Sequence, residues 1–125
     1  MVEQEGYVSL WVGKFKSTKE LQHYLLISYT EDGDAIPSEF EKDFQIDWYD
    51  EDFMEAEYFD EEIEELPKLL DGCSYDDAVI PNFIQTYGKS LSDSVNSMIL
   101  LYNFQCAPKE QSDLKHIKYL GNVKI

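Results

Sequence analysis

A chain of 125 residues with 26 acidic side chains, 10 lysines and no arginine has a formal net charge of −16. Such a field repels nucleic acid and anionic membranes, which excludes both as expected partners, and it attracts basic proteins. The length fits one domain over 1–125, and 43% apolar with 14% aromatic residues argues for a packed fold despite the charge.

The N-terminus lacks a basic region and a signal-peptide apolar stretch, and no apolar run approaches the roughly 20 residues a bilayer demands. A cytoplasmic location is the expectation. The first element is a strand over 7–13, where Val8, Leu10 and Val12 share one face at period two. Trp11 points the other way, into either a second core layer or an exposed patch. Ser17 and Glu20 have capping-box spacing, and Leu21, Tyr24, Leu25 and Ser28 follow at helical spacing. The Glu31-Asp-Gly-Asp34 loop is expected to end that helix. Pro37 and Ser38 start a second, short helix, with Glu41 completing a capping box and Phe40 and Phe44 facing inward.

Residues 53–59 alternate again. Met54, Ala56 and Tyr58 point one way, Glu55 and Glu57 the other, as in a half-exposed strand. A short helix is expected over 60–71, interrupted by Pro67 and stopped by Gly72. Val79, Ile80, Phe83, Ile84 and Tyr87 predict a helix over 75–87, with Pro81 blurring its start and Gly88 ending it. Ser97 to Phe104 is almost continuously apolar and reads as the central strand, and Ile117 to Ile125 as the last one. The expected fold is α+β, a single sheet of about four strands with helices packed on one side, in the order β-α-α-β-α-α-β-β.

The charge is unevenly placed. Residues 31–77 hold 20 acids and two lysines, a net −18, while the rest of the chain has six acids and eight lysines. Like charge concentrated on a folded surface is self-repelling. A binding face explains it better than structure alone, and a solubilising surface is the plainer alternative. Lys109, Lys115, Lys118 and Lys124 read as strand-edge charges that discourage pairing with other chains.

Catalytic and metal signatures are missing from the pattern. There is no glycine-rich phosphate loop. His23 and His116 lie in no nucleophile motif, and Cys73 and Cys106 have neither metal nor redox spacing and read as reduced thiols. The 31–34 loop lacks the order and the distant bidentate Glu of a calcium loop. No cofactor, metal or catalytic residue is expected.

The most suggestive stretch is 43–53, where Trp48 and Tyr49 sit among Asp47, Asp50, Glu51 and Asp52. Trp and Tyr are enriched at binding hot spots, and surrounding charge governs association rate and partner choice. Trp48 reads equally as a core anchor, whereas Tyr49 and the acids lean towards the surface. With Glu55 and Glu57 of the following strand, these residues form the candidate partner-binding set.

Val8-Ser-Leu-Trp-Val-Gly-Lys-Phe15 with its following Ser-x-x-Glu helix resembles the immunity protein 22 family of bacterial polymorphic toxin systems. Ile36-Pro-Ser-Glu-Phe40 running into Asp43-Phe44 and Asp47-Trp-Tyr-Asp-Glu-Asp-Phe53 is similar to that family too. So are Ile99-Leu-Leu-Tyr-Asn-Phe104 and Leu120-Gly-Asn-Val123, so that the joint order and spacing carry the likeness from Val8 onward. The resemblance implies a gene beside a toxin gene, protection by binding the cognate toxin domain, no catalysis and no cofactor. It assigns no residue to the toxin contact. A basic nuclease is the toxin expected first, because its channel must be positive to hold phosphates. The alternatives are an acidic adaptor for another basic protein and, more remotely, a metal-dependent hydrolase built from the surplus carboxylates.

Overall fold

The computed structural model describes residues 2–46, 49–105 and 116–125. A twelve-residue strand, β1 (Val2–Gly13), leads to helix α1 (Thr18–Leu25), a small hairpin of β2 (Ser28–Tyr29) and β3 (Ala35–Ile36), and helix α2 (Glu39–Phe44). A 3-10 turn (Glu51–Phe53) opens into β4 (Met54–Glu65), followed by α3 (Leu66–Leu69), α4 (Asp76–Tyr87), β5 (Ser90–Gln105) and β6 (Ile117–Lys124).

The four long strands form one antiparallel sheet in the order β4-β5-β1-β6. β1 and β5 are therefore central and β4 and β6 are edges. The α+β class, the four-stranded sheet and the element order are as expected, with the β2–β3 hairpin inserted between α1 and α2. Among the described residues, no helix is long and apolar enough to cross a membrane.

Alternation along the central strands builds two hydrophobic clusters. Val8, Leu10 and Val12 of β1 and Met98, Leu100 and Tyr102 of β5 pack with Leu66, Leu69 and Leu70 around α3 and Val79 and Phe83 of α4. Trp11, Ile99 and Leu101 point to the opposite face and pack with Leu21 and Tyr24 of α1 and Phe40 and Phe44 of α2. Both faces of the sheet thus carry a hydrophobic cluster, because β1 and β5 are apolar on both faces. Trp11 belongs to a second core layer. Burial of such side chains contributes about 1.5–3 kcal/mol each.

Local chemistry sets the helix ends. The Ser17 side chain accepts the Glu20 backbone N–H, while Glu20 Oε1 accepts from Lys16 N–H rather than from the cap. The α2 box is complete: Ser38 Oγ accepts Glu41 N–H at 3.1 Å and Glu41 Oε1 accepts Ser38 N–H at 3.0 Å, both residues being buried. Helix α1 stops at Leu25, so Ser28 belongs to the hairpin. The 31–34 loop is that hairpin's turn, closed by Thr30 N–H to the Asp34 carbonyl at 2.9 Å, with Gly33 at φ +87°. Helix α4 runs through Pro81 and ends at Gly88 as expected.

Residues 60–65 continue β4, which corrects the helix expected over 60–71. Only Leu66–Leu69 is helical, and Pro67 sits in its first turn, where a missing N–H costs nothing.

The buried capping box yields a stability prediction. Ser38→Ala is expected to lower the unfolding free energy by about 1–2 kcal/mol, since it removes the cap and one donor to a buried Glu41 carboxylate. Urea unfolding of the variant checks this, and a change under a few tenths of a kcal/mol contradicts it.

Candidate partner-binding site

The eight candidate residues do not share one environment. Asp47 and Trp48 lie outside the described residues. Tyr49 is only 4% exposed and packs edge-on against Phe40 at 6.1 Å, which corrects its expected surface position. It belongs to the second core layer, and its phenol is pushed well above the usual tyrosine range by burial and then by the nearby Glu41 and Glu51 charges. Asp50 is half-buried and caps the 3-10 turn, its Oδ1 accepting Asp52 N–H at 3.0 Å. Glu51, Asp52 and Glu57 are exposed.

Glu55 is structural in its contacts. Its carboxylate accepts Ser74 N–H at 3.0 Å and Ser74 Oγ–H at 3.1 Å. The Tyr102 hydroxyl lies 2.5 Å from Glu55 Oε1 and 2.7 Å from the Ser74 carbonyl, with one proton to share between them. This arrangement ties β4 and β5 to the loop before α4. Burial, then the hydrogen bond to Glu55, drives the Tyr102 phenol far above its ordinary value. Neighbouring Cys73 is a buried free thiol, held high chiefly by burial, as expected of an inert cysteine. Cys106 lies outside the described residues.

Edge strand β4 also carries Asp60, Glu61, Glu62, Glu64 and Glu65, all exposed. Three of these are paired at the surface: Glu62 with Lys14 at 3.1 Å, Glu61 with Lys68 at 2.9 Å and Glu65 with Lys89 at 3.8 Å. Exposed pairs of this kind contribute about 0–1 kcal/mol each. These five acids fall within the acidic 31–77 segment, on the stretch expected to be helical, and outside the candidate set drawn around Trp48 and Tyr49. Their strand character has little apolar signal, since Ile63 is the one buried residue of β4.

Beside the 3-10 turn lies an open groove of about 370 Å³, lined by Gln22, Leu25, Leu26, Ile27, Tyr49, Glu51, Met54 and Ala56. Its apolar floor comes from Leu25, Ile27, Met54 and Ala56, which are partly buried against the second core layer. The groove was not foreseen, because α1 and β4 are distant in sequence and meet only in the fold. At the opposite sheet edge, Lys118 and Lys124 lie on β6, with Lys118 Nζ donating to Ser92 Oγ at 3.1 Å. Lys109 and Lys115 lie outside the described residues.

Among the described residues, no group of three His, Cys, Asp or Glu side chains is placed to hold a metal ion. The features that stand out are an acid-bearing edge strand and an apolar groove with a carboxylate on its rim. Both belong to a small α+β fold built on one antiparallel sheet of four long strands. The chain belongs to the Immunity protein 22 family, whose model matches residues 8–124. No curated protein and no solved structure matches it.

Proposed function

We propose that this chain is an immunity protein that binds and neutralises a cognate bacterial toxin domain, with the acid-rich segment 31–77 as the contact face. The observation that carries this reading is the net −18 of that segment in a chain of the Immunity protein 22 family. Exposed Glu51, Asp52 and Glu57, with half-buried Asp50, supply part of the field. The partner is then a basic domain, with a nuclease first, because a channel that holds phosphates must be positive. Occupying such a channel with carboxylates competes directly with the nucleic acid. Binding requires no catalysis and no cofactor of this chain, and it would act in the cytoplasm, where the producing cell needs protection.

The test uses the toxin domain encoded beside this gene, with association followed by stopped flow at low and moderate salt. Steered association is expected to approach about 10⁸–10⁹ M⁻¹s⁻¹ at low salt and to fall at least tenfold as screening sets in over about 8 Å. Joint replacement Asp50→Asn, Glu51→Gln, Asp52→Asn and Glu57→Gln is expected to slow association about tenfold and to flatten the salt dependence. A rate indifferent to both salt and these substitutions overturns the electrostatic part of the reading. No binding at all overturns the whole.

A further inference from the structure

The open groove between the end of α1 and the start of β4 combines an apolar floor with a charged border. Its floor is apolar, formed by Leu25, Ile27, Met54 and Ala56, and Leu26 on its rim is 57% exposed. Beside that floor stands the exposed Glu51, whose chain neighbours Asp50 and Asp52 belong to the same 3-10 turn and its cap. Phe53, which closes the turn, is also exposed.

Isolated exposed apolar residues need no explanation, but a contiguous apolar depression marks an interaction site. Its dimensions and openness suit one or two side chains of another protein better than an enclosed small molecule, most of whose surface would have to be covered. Charge narrows the occupant further. A second copy of this chain brings another −16 and is repelled, as is nucleic acid. A segment with a large apolar side chain between lysines or arginines satisfies both features. Its apolar group leaves water, and its cations face Glu51, Asp50 and Asp52.

We infer that this groove is the anchor point for a basic protein segment that inserts one apolar side chain flanked by lysine or arginine. The inference rests on the toxin-binding reading for the partner's identity, and it adds where and how that partner is held. Steering charges set the rate of encounter, whereas a desolvated apolar anchor sets the rate of release. The two contributions are therefore separable.

The test employs two synthetic peptides of equal charge, one with Leu-Phe between two runs of three lysines, the other with Ser-Ser in that place. Each is titrated into the isotope-labelled protein and followed by amide chemical shifts. The Leu-Phe peptide is expected to move the amides of Leu25, Leu26, Ile27, Met54 and Ala56 saturably. The Ser-Ser peptide should move acidic residues of β4 and leave the groove in place. Leu26→Asp, at an exposed position, is expected to keep the native circular dichroism and to weaken the Leu-Phe peptide at least tenfold. Identical shift patterns for the two peptides, or a Leu26→Asp variant that binds as the parent does, overturn the inference.

The cognate toxin separates this inference from the reading beneath it. Protection by the parent and equally by Leu26→Asp sinks the groove and leaves toxin binding standing. No binding of the toxin by the parent, with a saturable groove response to the Leu-Phe peptide, supports the groove and removes the toxin as its occupant.

Discussion

Replacing Trp11 by alanine will lower the free energy of unfolding by about 3–5 kcal/mol, the range for deleting a large buried aromatic. Trp11 is fully buried on the sheet face opposite Val8, Leu10 and Val12. It meets Phe40 edge-on at 4.9 Å, Phe44 at 5.8 Å and Tyr119 at 5.1 Å, and so joins α2 to both β1 and β6. Alanine would leave a void that Phe40 and Phe44 cannot close unless α2 shifts. A loss of that size is a large share of the roughly 5–15 kcal/mol that holds a domain of this kind together.

Trp11→Phe provides the internal control. Among the described residues the Trp11 indole N–H has no hydrogen-bond partner, so phenylalanine abandons no bond and removes a buried, unpaired donor. Its expected cost is about 2 kcal/mol or less, from the smaller cavity alone. Urea unfolding of both variants decides the matter. Equal losses would mean that something other than cavity volume, such as a polar contact of the indole, governs this site. A loss below about 1 kcal/mol for alanine would mean that the second core layer contributes little to stability.

Trp11 also shows where the sequence was legible and where it was not. Period-two alternation in β1 and the apolar run in β5 are strong signals, and both became central strands. The same signals contain the second core layer, since Trp11, Ile99 and Leu101 occupy the alternate positions. Which face a given helix would cover was not legible, because no local pattern states it. β4 failed differently. Its second half, Asp60-Glu-Glu-Ile-Glu-Glu65, is an exposed edge with one buried residue, and glutamate is a good helix former. Pairing with β5, through Ile63 opposite Val95, overrode that propensity.

The candidate site was legible in charge and illegible in burial. Tyr49 looked exposed because acids flank it, yet the fold turns it under Phe40. Glu55 looked like an outward carboxylate, and its partners Ser74 and Tyr102 lie 19 and 47 residues away, beyond any local pattern. Capping boxes, by contrast, depend on residues three apart, and the one at Ser38 formed in full.

Stability will collapse above about pH 10, through three tyrosines that the fold keeps protonated. Tyr24, Tyr49 and Tyr102 are each buried. Burial is the largest cause of the raised phenol pKa at all three, assisted by Asp43 and Glu39 at Tyr24, by Glu41 and Glu51 at Tyr49, and by Glu55 at Tyr102. The Tyr24 hydroxyl donates to Asp43 at 2.8 Å, a bond that tyrosinate cannot make. In the unfolded chain a tyrosine loses its proton near pH 10.

Between that pH and the higher folded values, the native state holds protons that the unfolded state has released. Stability is therefore complete below about pH 10 and falls as pH rises, by up to about 1.4 kcal/mol per pH unit for each tyrosine. Three together give up to about 4 kcal/mol per unit, enough to unfold a domain of ordinary stability within about one to four units. Urea unfolding from about pH 8 upward should show a plateau followed by this steep decline. Tyrosinate absorbance should show these three of the nine tyrosines appearing only as the fold is lost. Tyr49→Phe is expected to make the decline shallower by about one tyrosine's share. Titration of all nine near pH 10 with native circular dichroism retained would refute the account. It would mean that Asp43, Glu41 and Glu55 do not restrain these phenols, and that the two core layers admit charge.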